Sequence, residues 1–257
     1  MLVICYGITK SGSTLAFELV KGMLESAGHP QTILPEEVIG PRERINFVDG
    51  PMSRDRVKSL LRAIGRKHKV AVKTHAKFDE RELLWYEAMQ ARGRLQIVAS
   101  YRDPRDICLS MVDAGAHARR NNRETFSSIT DLASAIASVQ RQYLLFRKWG
   151  AIRGTLRLDY EVAAFEPEKA MALIGERLAI RYDCEAVKRY VFEEAFTQKN
   201  KAQTRRHTTD LSAEQLGEVT AAFDTILHGL YGADGGKWFA DCRDELLAKF
   251  VNRKKTA

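Results

Sequence analysis

Two short segments hold most of the residues able to do chemistry. The first, Tyr6-Gly7-Ile8-Thr9-Lys10-Ser11-Gly12-Ser13-Thr14, follows an apolar run and opens a helical pattern. The first backbone N–H groups of a helix are unpaired and carry positive potential, so such a strand-loop-helix accepts an anion. Gly7 and Gly12 let the backbone turn tightly and approach anionic oxygens, while Ser11, Ser13 and Thr14 add hydroxyl donors. The glycine spacing is that of the Walker A pattern GxxxxGK[ST]. Here Ser13 stands where that pattern places lysine, and Lys10 lies inside the loop instead. A cation there meets a phosphate from the loop, which counts against an ordinary ATPase or GTPase. A plain strand-helix turn with an incidental lysine is the alternative.

The second segment is Ser100-Tyr101-Arg102-Asp103-Pro104-Arg105-Asp106-Ile107-Cys108-Leu109-Ser110. Arg102 closes an apolar run, and Ser110 falls about two turns into the helix that follows. A planar guanidinium fork and a hydroxyl so placed suit a second phosphate. The alternative pairs Asp103 and Asp106 with Arg102 and Arg105 as a helix cap. Between the two segments, Val72-Lys73-Thr74-His75 ends another apolar run. A histidine of ordinary pKa near ~6.5 suits a base working around neutrality, and a structural role is its alternative. If the strand reaches His75, alternation puts Lys73 on the same face. His29, His68, His117, His207 and His228 lack such context and read as surface or structural residues.

Taken together, these motifs resemble those of the cytosolic-type, 3′-phosphoadenosine 5′-phosphosulfate (PAPS)-dependent sulfotransferase family. Thr9 to Thr14 is similar to its 5′-phosphosulfate loop, Arg102 to Ser110 to its 3′-phosphate motif, and Lys73-Thr74-His75 to its Lys-Thr-His. Leu158-Asp159-Tyr160-Glu161, followed by Glu166-Pro167-Glu168, is similar to a further family stretch. The resemblance covers about residues 2–180 and weakens beyond. It implies a P-loop-like sulfotransferase fold and transfer of a sulfuryl group from PAPS to a hydroxyl or amine of a small-molecule or glycan acceptor. Adenosine 3′,5′-bisphosphate is the product, and no metal is required. By the same resemblance, Lys10, Ser11, Gly12, Ser13 and Thr14 hold the 5′-phosphosulfate, Arg102 and Ser110 hold the 3′-phosphate, and Tyr160 contacts the adenine. Lys10 neutralises the leaving oxygen, His75 takes the acceptor's proton, and Lys73 helps to position the acceptor.

Two features depart from the family pattern. Leu15 stands where members often carry tryptophan, so the adenine stack must come from elsewhere, Phe47 being one candidate. The late Arg-Lys-Gly loop has no clean match. Lys199-Asn200-Lys201-Ala202-Gln203-Thr204-Arg205-Arg206-His207 has the charge to clasp a 3′-phosphate but not the pattern, and a solvated basic loop is its alternative.

The elements that must position these groups alternate. Apolar, β-rich runs at 2–7, 70–74, 95–101 and 155–160 read as strands. Helical patterns fill 11–28, 80–93, 104–115, 129–150 and 167–178, and 183–253 reads as helices broken by a polar loop at 197–211. Strands separated by helices imply an α/β fold: a central parallel sheet with helices on both faces. The stretches 29–56 and 117–126 read as polar excursions beside the ligand-binding edge, and with 197–211 they are the expected walls of an acceptor pocket, Phe47 and Phe126 among them.

At 257 residues, against about 150 per domain as a loose prior, a single domain over 1–257 suffices. Charged residues are 29% and hydrophobic residues 45%, which excludes wholesale disorder. A net charge of +8 favours an anionic partner without choosing one. Cys5, Cys108, Cys184 and Cys242 form no CxxC and read as free thiols of a reducing cytoplasm. No apolar run approaches the ~18 residues of a membrane span. The expectation is a cytoplasmic monomer or homodimer with no membrane or nucleic-acid partner. The rivals are a P-loop small-molecule kinase and a non-enzymatic basic nucleotide- or nucleic-acid-binding module, the latter invited by the arginines of 117–124.

Overall fold

The computed structural model describes residues 1–40, 45–195 and 203–255. Four parallel strands, β1 (Leu2–Gly7), β2 (Val70–Thr74), β3 (Leu95–Tyr101) and β4 (Leu156–Asp159), pair in the order β2-β1-β3-β4. Parallel strands covered on both faces read as continuous apolar runs, which is why LVICYG is buried throughout. Alternation sends Leu2, Ile4 and Tyr6 into one core and Val3 and Cys5 into the other. Helices α1 (Ser13–Ser26), α2 (Glu36–Ile39), α3 (Arg54–Ile64), α4 (Leu83–Ala91), α5 (Pro104–Arg120) and α6 (Leu132–Ala151) alternate with the strands. After β4 come α7 (Tyr160–Phe165), α8 (Pro167–Leu178), α9 (Cys184–Arg189), α10 (His207–Asp210), α11 (Ala213–Ala222), α12 (Asp224–Tyr231) and α13 (Gly235–Lys255). One core lies between the sheet and α3, α4, α6 and α13, and the other between the sheet and α1, α8 and α9.

Several boundaries differ from the sequence expectation, and α10 falls inside the expected polar loop 197–211. The stretch 29–56 is not wholly irregular: it contains α2 and the start of α3, whose Ser53 caps the first turn by accepting from the Arg56 N–H. α5 runs on to Arg120, through much of the expected polar excursion. Asp103 caps it and Pro104 occupies its first turn, and Gly115, where the sequence reading ends the helix, is carried inside it against the Ile129 carbonyl, so the polar residues beyond belong to the same helix. β4 stops at Asp159, which caps α7, so Tyr160 begins a helix rather than ending a strand. Among the described residues no helix is long and apolar enough to cross a membrane, and no cluster of His, Cys, Asp or Glu is placed to hold a metal ion. Lys199 to Ala202 of the late basic loop lie outside the described residues.

Candidate functional site

The loop between β1 and α1 is built to leave backbone donors open. Lys10 and Gly12 both take the left-handed conformation, at φ 69° and 76°. Alternating hand along a loop turns successive N–H groups toward one side. α1 has no side-chain cap, and the N–H groups of Gly12, Ser13 and Thr14 find no acceptor among the described residues. Such an arrangement is able to cradle an anion by backbone alone. Ser11 does something different from the expected hydroxyl contact. Fully buried, its Oγ donates to the Ile8 carbonyl at 2.7 Å and so shapes the turn from inside. Thr14 Oγ1 accepts from Lys73 Nζ at 2.7 Å, which leaves the hydroxyl proton free to point at a ligand.

Lys73 therefore braces the β1–α1 loop from beneath α1. Burial lowers its pKa to about 8, with nearby Glu18 opposing. Its ammonium donates to Thr14 rather than lining an acceptor site, and β2 ends at Thr74, so the strand does not carry Lys73 and His75 on one face. His75 sits just past the strand, with Nδ1 2.6 Å from the Gly7 carbonyl. A carbonyl can only accept, so Nδ1 carries the hydrogen and Nε2 offers a lone pair when the ring is neutral. Burial takes the His75 pKa down to about 4, partly offset by the Gly7 hydrogen bond. Phe47, the candidate adenine stack, packs beside His75 with ring centroids 5.6 Å apart.

The second segment uses both of its sequence readings at once. Asp103 caps α5 and pairs with Arg105 at 2.7 Å, and Arg102 Nη2 meets Asp106 at 3.2 Å. The same Nη2 donates to the Gln203 carbonyl at 2.9 Å, while Arg102 Nε is buried without a partner among the described residues. A fork with one prong unspent is chemically suited to an anionic oxygen. Ser110 is buried in the second turn of α5.

Tyr160 joins the two motifs. The Arg102 guanidinium lies 4.4 Å from the centroid of its ring. A Cβ on Gly12 would come within 2.3 Å of its Cδ2, so glycine is required there for contact as well as for φ. Lys10 and Arg102 are close enough for their charges to interact: burial and that repulsion lower the Lys10 pKa, with Asp113 opposing. The Lys10 ammonium lies 5.7 Å from the Phe126 ring, on the wall of a cavity of about 750 Å³ lined also by Asp113, His117, Arg120 and Arg123.

Several positioning residues carried no sequence signal. Gln142 Oε1 accepts from the Thr9 N–H at 2.8 Å, and its neighbour Tyr143 donates its hydroxyl to the Arg102 carbonyl. One turn of α6 thus holds both motif loops. The fully buried Asp106 accepts from the His207 N–H at 3.0 Å and meets His207 Nδ1 at 2.8 Å. Burial pushes the Asp106 carboxyl up, but the His207 hydrogen bonds and the Arg102 charge prevail and hold it below its ordinary value. Arg206 pairs with Asp113 at 3.0 Å and with Asp210 at 2.8 Å. In the described part of the late loop, Arg206 and His207 are thus tied to α5. A histidine that reads as isolated in sequence is part of the frame.

No family model matches the chain, and no curated protein matches it in sequence. In three dimensions it is similar to retinol dehydratase solved with androsterone and inactive cofactor PAP. The TM-score is 0.53 over 88% of this chain and 80% of that one, at 16% identity. Mouse sulfotransferase SULT7A1 complexed with PAP superposes at TM-score 0.44 over 93% of this chain and 88% of that one, at 14% identity. The chain has the P-loop-like sulfotransferase fold that its motifs imply.

Proposed function

We propose that this protein is a PAPS-dependent sulfotransferase acting on a hydroxyl or amine. One observation carries the reading: the uncapped phosphate loop and the partly unspent Arg102 fork pack on the same Tyr160 ring. Two anion grips joined through one aromatic residue suit a nucleotide phosphorylated at both ends of its ribose. The structural neighbour solved with inactive cofactor PAP supports the same reading.

When bound, PAPS supplies the sulfuryl group and leaves as adenosine 3′,5′-bisphosphate. The chain's own residues divide the remaining work. The N–H groups of Gly12, Ser13 and Thr14 and the Thr14 hydroxyl bind the 5′ anion, and Arg102 and Ser110 the 3′ phosphate. Lys10, half-buried beside that cradle, places a cation where charge builds on the leaving oxygen. A preorganised donor of this kind contributes roughly 3–4 kcal/mol to the transition state. His75, neutral at pH 7 and fixed through Nδ1, holds Nε2 ready to take the acceptor's proton. The cavity beside Lys10 is the acceptor pocket of this reading, and its cations suit an acceptor bearing an anionic group next to an apolar part that meets Phe126.

Thermal melts with adenosine 3′,5′-bisphosphate and with ATP–Mg²⁺ test the nucleotide, because a ligand that binds the folded state raises the melting temperature. The bisphosphate is expected to stabilise and ATP–Mg²⁺ not to. Transfer of radiolabelled sulfate from PAPS to a panel of phenols, amines and sugars then tests the reaction. Stabilisation by ATP–Mg²⁺ alone would overturn the proposal in favour of a kinase.

A further inference from the structure

A second basic feature lies at the other end of the sheet from the candidate site. The strands start there, at Leu2, Val70 and Leu95, and run for 6, 5 and 7 residues, or roughly 16–23 Å, to their carboxyl ends. Two cavities open on this end. One, of about 330 Å³, is lined by Lys58, Arg62, Arg66 and Arg94 among others. The other, of about 640 Å³, shares Arg66 and Arg94 and adds Lys67, Lys69 and Arg177. The shared arginines make the two cavities one groove, and no carboxylate lines either part.

These cations are poorly neutralised by the fold. Lys58 pairs with Asp55 at 3.5 Å, and Lys69 is held by the Leu178 carbonyl that ends α8. Arg62, Arg66, Lys67, Arg94 and Arg177 form no side-chain ion pair or hydrogen bond among the described residues. Burial and the charges of Lys69 and His68 keep the neighbouring His29 imidazole below its ordinary value. An anion in the groove relieves that repulsion.

We infer that this groove binds an extended acidic polysaccharide, at a surface separate from the catalytic centre. Length argues for a chain rather than a single anion, since the cations run through two connected cavities. The lining argues against single-stranded nucleic acid, because it contains no Phe, Tyr or Trp on which bases could stack. It also offers no exposed large apolar side chain with which to enter a bilayer. Gln96 on the wall of the larger cavity points to sugar in particular. Its side-chain amide suits a ligand whose groups both donate and accept. Sugar hydroxyls supply donors, whereas the oxygens of a polyphosphate at neutral pH do not.

The inference stands whether or not the protein transfers sulfate, and its test is binding alone. A fluorescent chondroitin sulfate oligosaccharide is titrated into the full chain at several salt concentrations. Parallel titrations use an RNA oligonucleotide and a polyphosphate of equal charge, and vesicles containing phosphatidylserine. Chondroitin sulfate is expected to bind tightest. Arg66→Ala with Arg94→Ala should weaken it at least tenfold and reduce the slope of log K against log salt by about two. Arg62→Glu, an exposed change on a helix surface, should weaken it as well without disturbing the fold. The bisphosphate-induced melting shift should be unaffected in both variants. Wild-type glycan affinity in either folded variant overturns the inference. So does equal or tighter binding of RNA, polyphosphate or vesicles.

Discussion

Gln142→Leu isolates how the β1–α1 loop is held, because it touches neither motif in sequence. The side chain gives Oε1 to the Thr9 N–H at 2.8 Å, across 133 residues of chain. Its amide nitrogen makes a weak 3.9 Å contact with Met111 Sδ. Leucine keeps most of the volume and removes the acceptor. A partly buried N–H left unpaired costs about 1 kcal/mol, the low end of the range, because Thr9 retains some access to water. For a chain of this size that lowers Tm by about 2–4 °C. If the loop must be ordered to bind the nucleotide, the same 1 kcal/mol weakens adenosine 3′,5′-bisphosphate about fivefold. Isothermal titration and calorimetry read the two effects separately. Gln142→Glu keeps the acceptor oxygen and should bind within twofold of wild type. Undiminished bisphosphate affinity in a folded Gln142→Leu protein would refute the idea that α6 positions the loop. A fall in Tm with no fall in affinity would confine Gln142 to stability.

Gly12→Ala drives a methyl into the Tyr160 ring and strains a φ of 76°, so bisphosphate binding should fall at least a hundredfold by titration, with a much smaller loss in Gly28→Ala, whose surroundings are open. Asp106→Asn removes the charge facing a buried Arg102. Unfolding in urea should show a loss of about 3 kcal/mol, near what breaking a buried pair costs. His75→Asn should abolish transfer while leaving bisphosphate affinity intact, and activity measured against pH in the wild type should rise through about 4 as the ring loses its proton. Stability carries the same signature. The folded pKa lies below the ordinary value of 6.5, so the contribution is complete above 6.5 and declines as pH falls toward 4. Between pH 7 and pH 5 the wild type should lose about 2 kcal/mol more than His75→Asn in denaturant melts.

The sheet was legible because a doubly covered parallel strand has to be apolar along its whole length, and VAVKT or LQIVASY can do little else. The turn between β1 and α1 was legible for a similar local reason, because the spacing of Gly7 and Gly12 acts within one turn, whereas the inward-facing Ser11 hydroxyl was not. α8 begins and ends at the residues its proline and periodicity indicate. α3 carries its own signal, since Val57, Leu60, Leu61 and Ile64 fall at the i, i+3, i+4 and i+7 spacing of an amphipathic helix and form the face that it buries. The last part of α5 was hidden, since it follows Gly115, and helix and loop share a polar composition when one face meets water. Least legible were the supports of the site. Gln142 reaches Thr9, His207 reaches Asp106 and Lys73 reaches Thr14 across large separations in the chain. No periodicity encodes such pairs. They arise only when the packed layers bring the residues face to face.

The adjacent pair on α6 has one more effect. Because Gln142 and Tyr143 stand side by side on a single rigid rod, the gap between the two loops they fasten is a fixed length. A helix does not stretch, so this gap works as a gauge. Under the proposed function, a nucleotide whose second charge sits one ribose carbon away from the right position is expected to miss one of the two loops, and a mutation that tilts the rod moves both ends together.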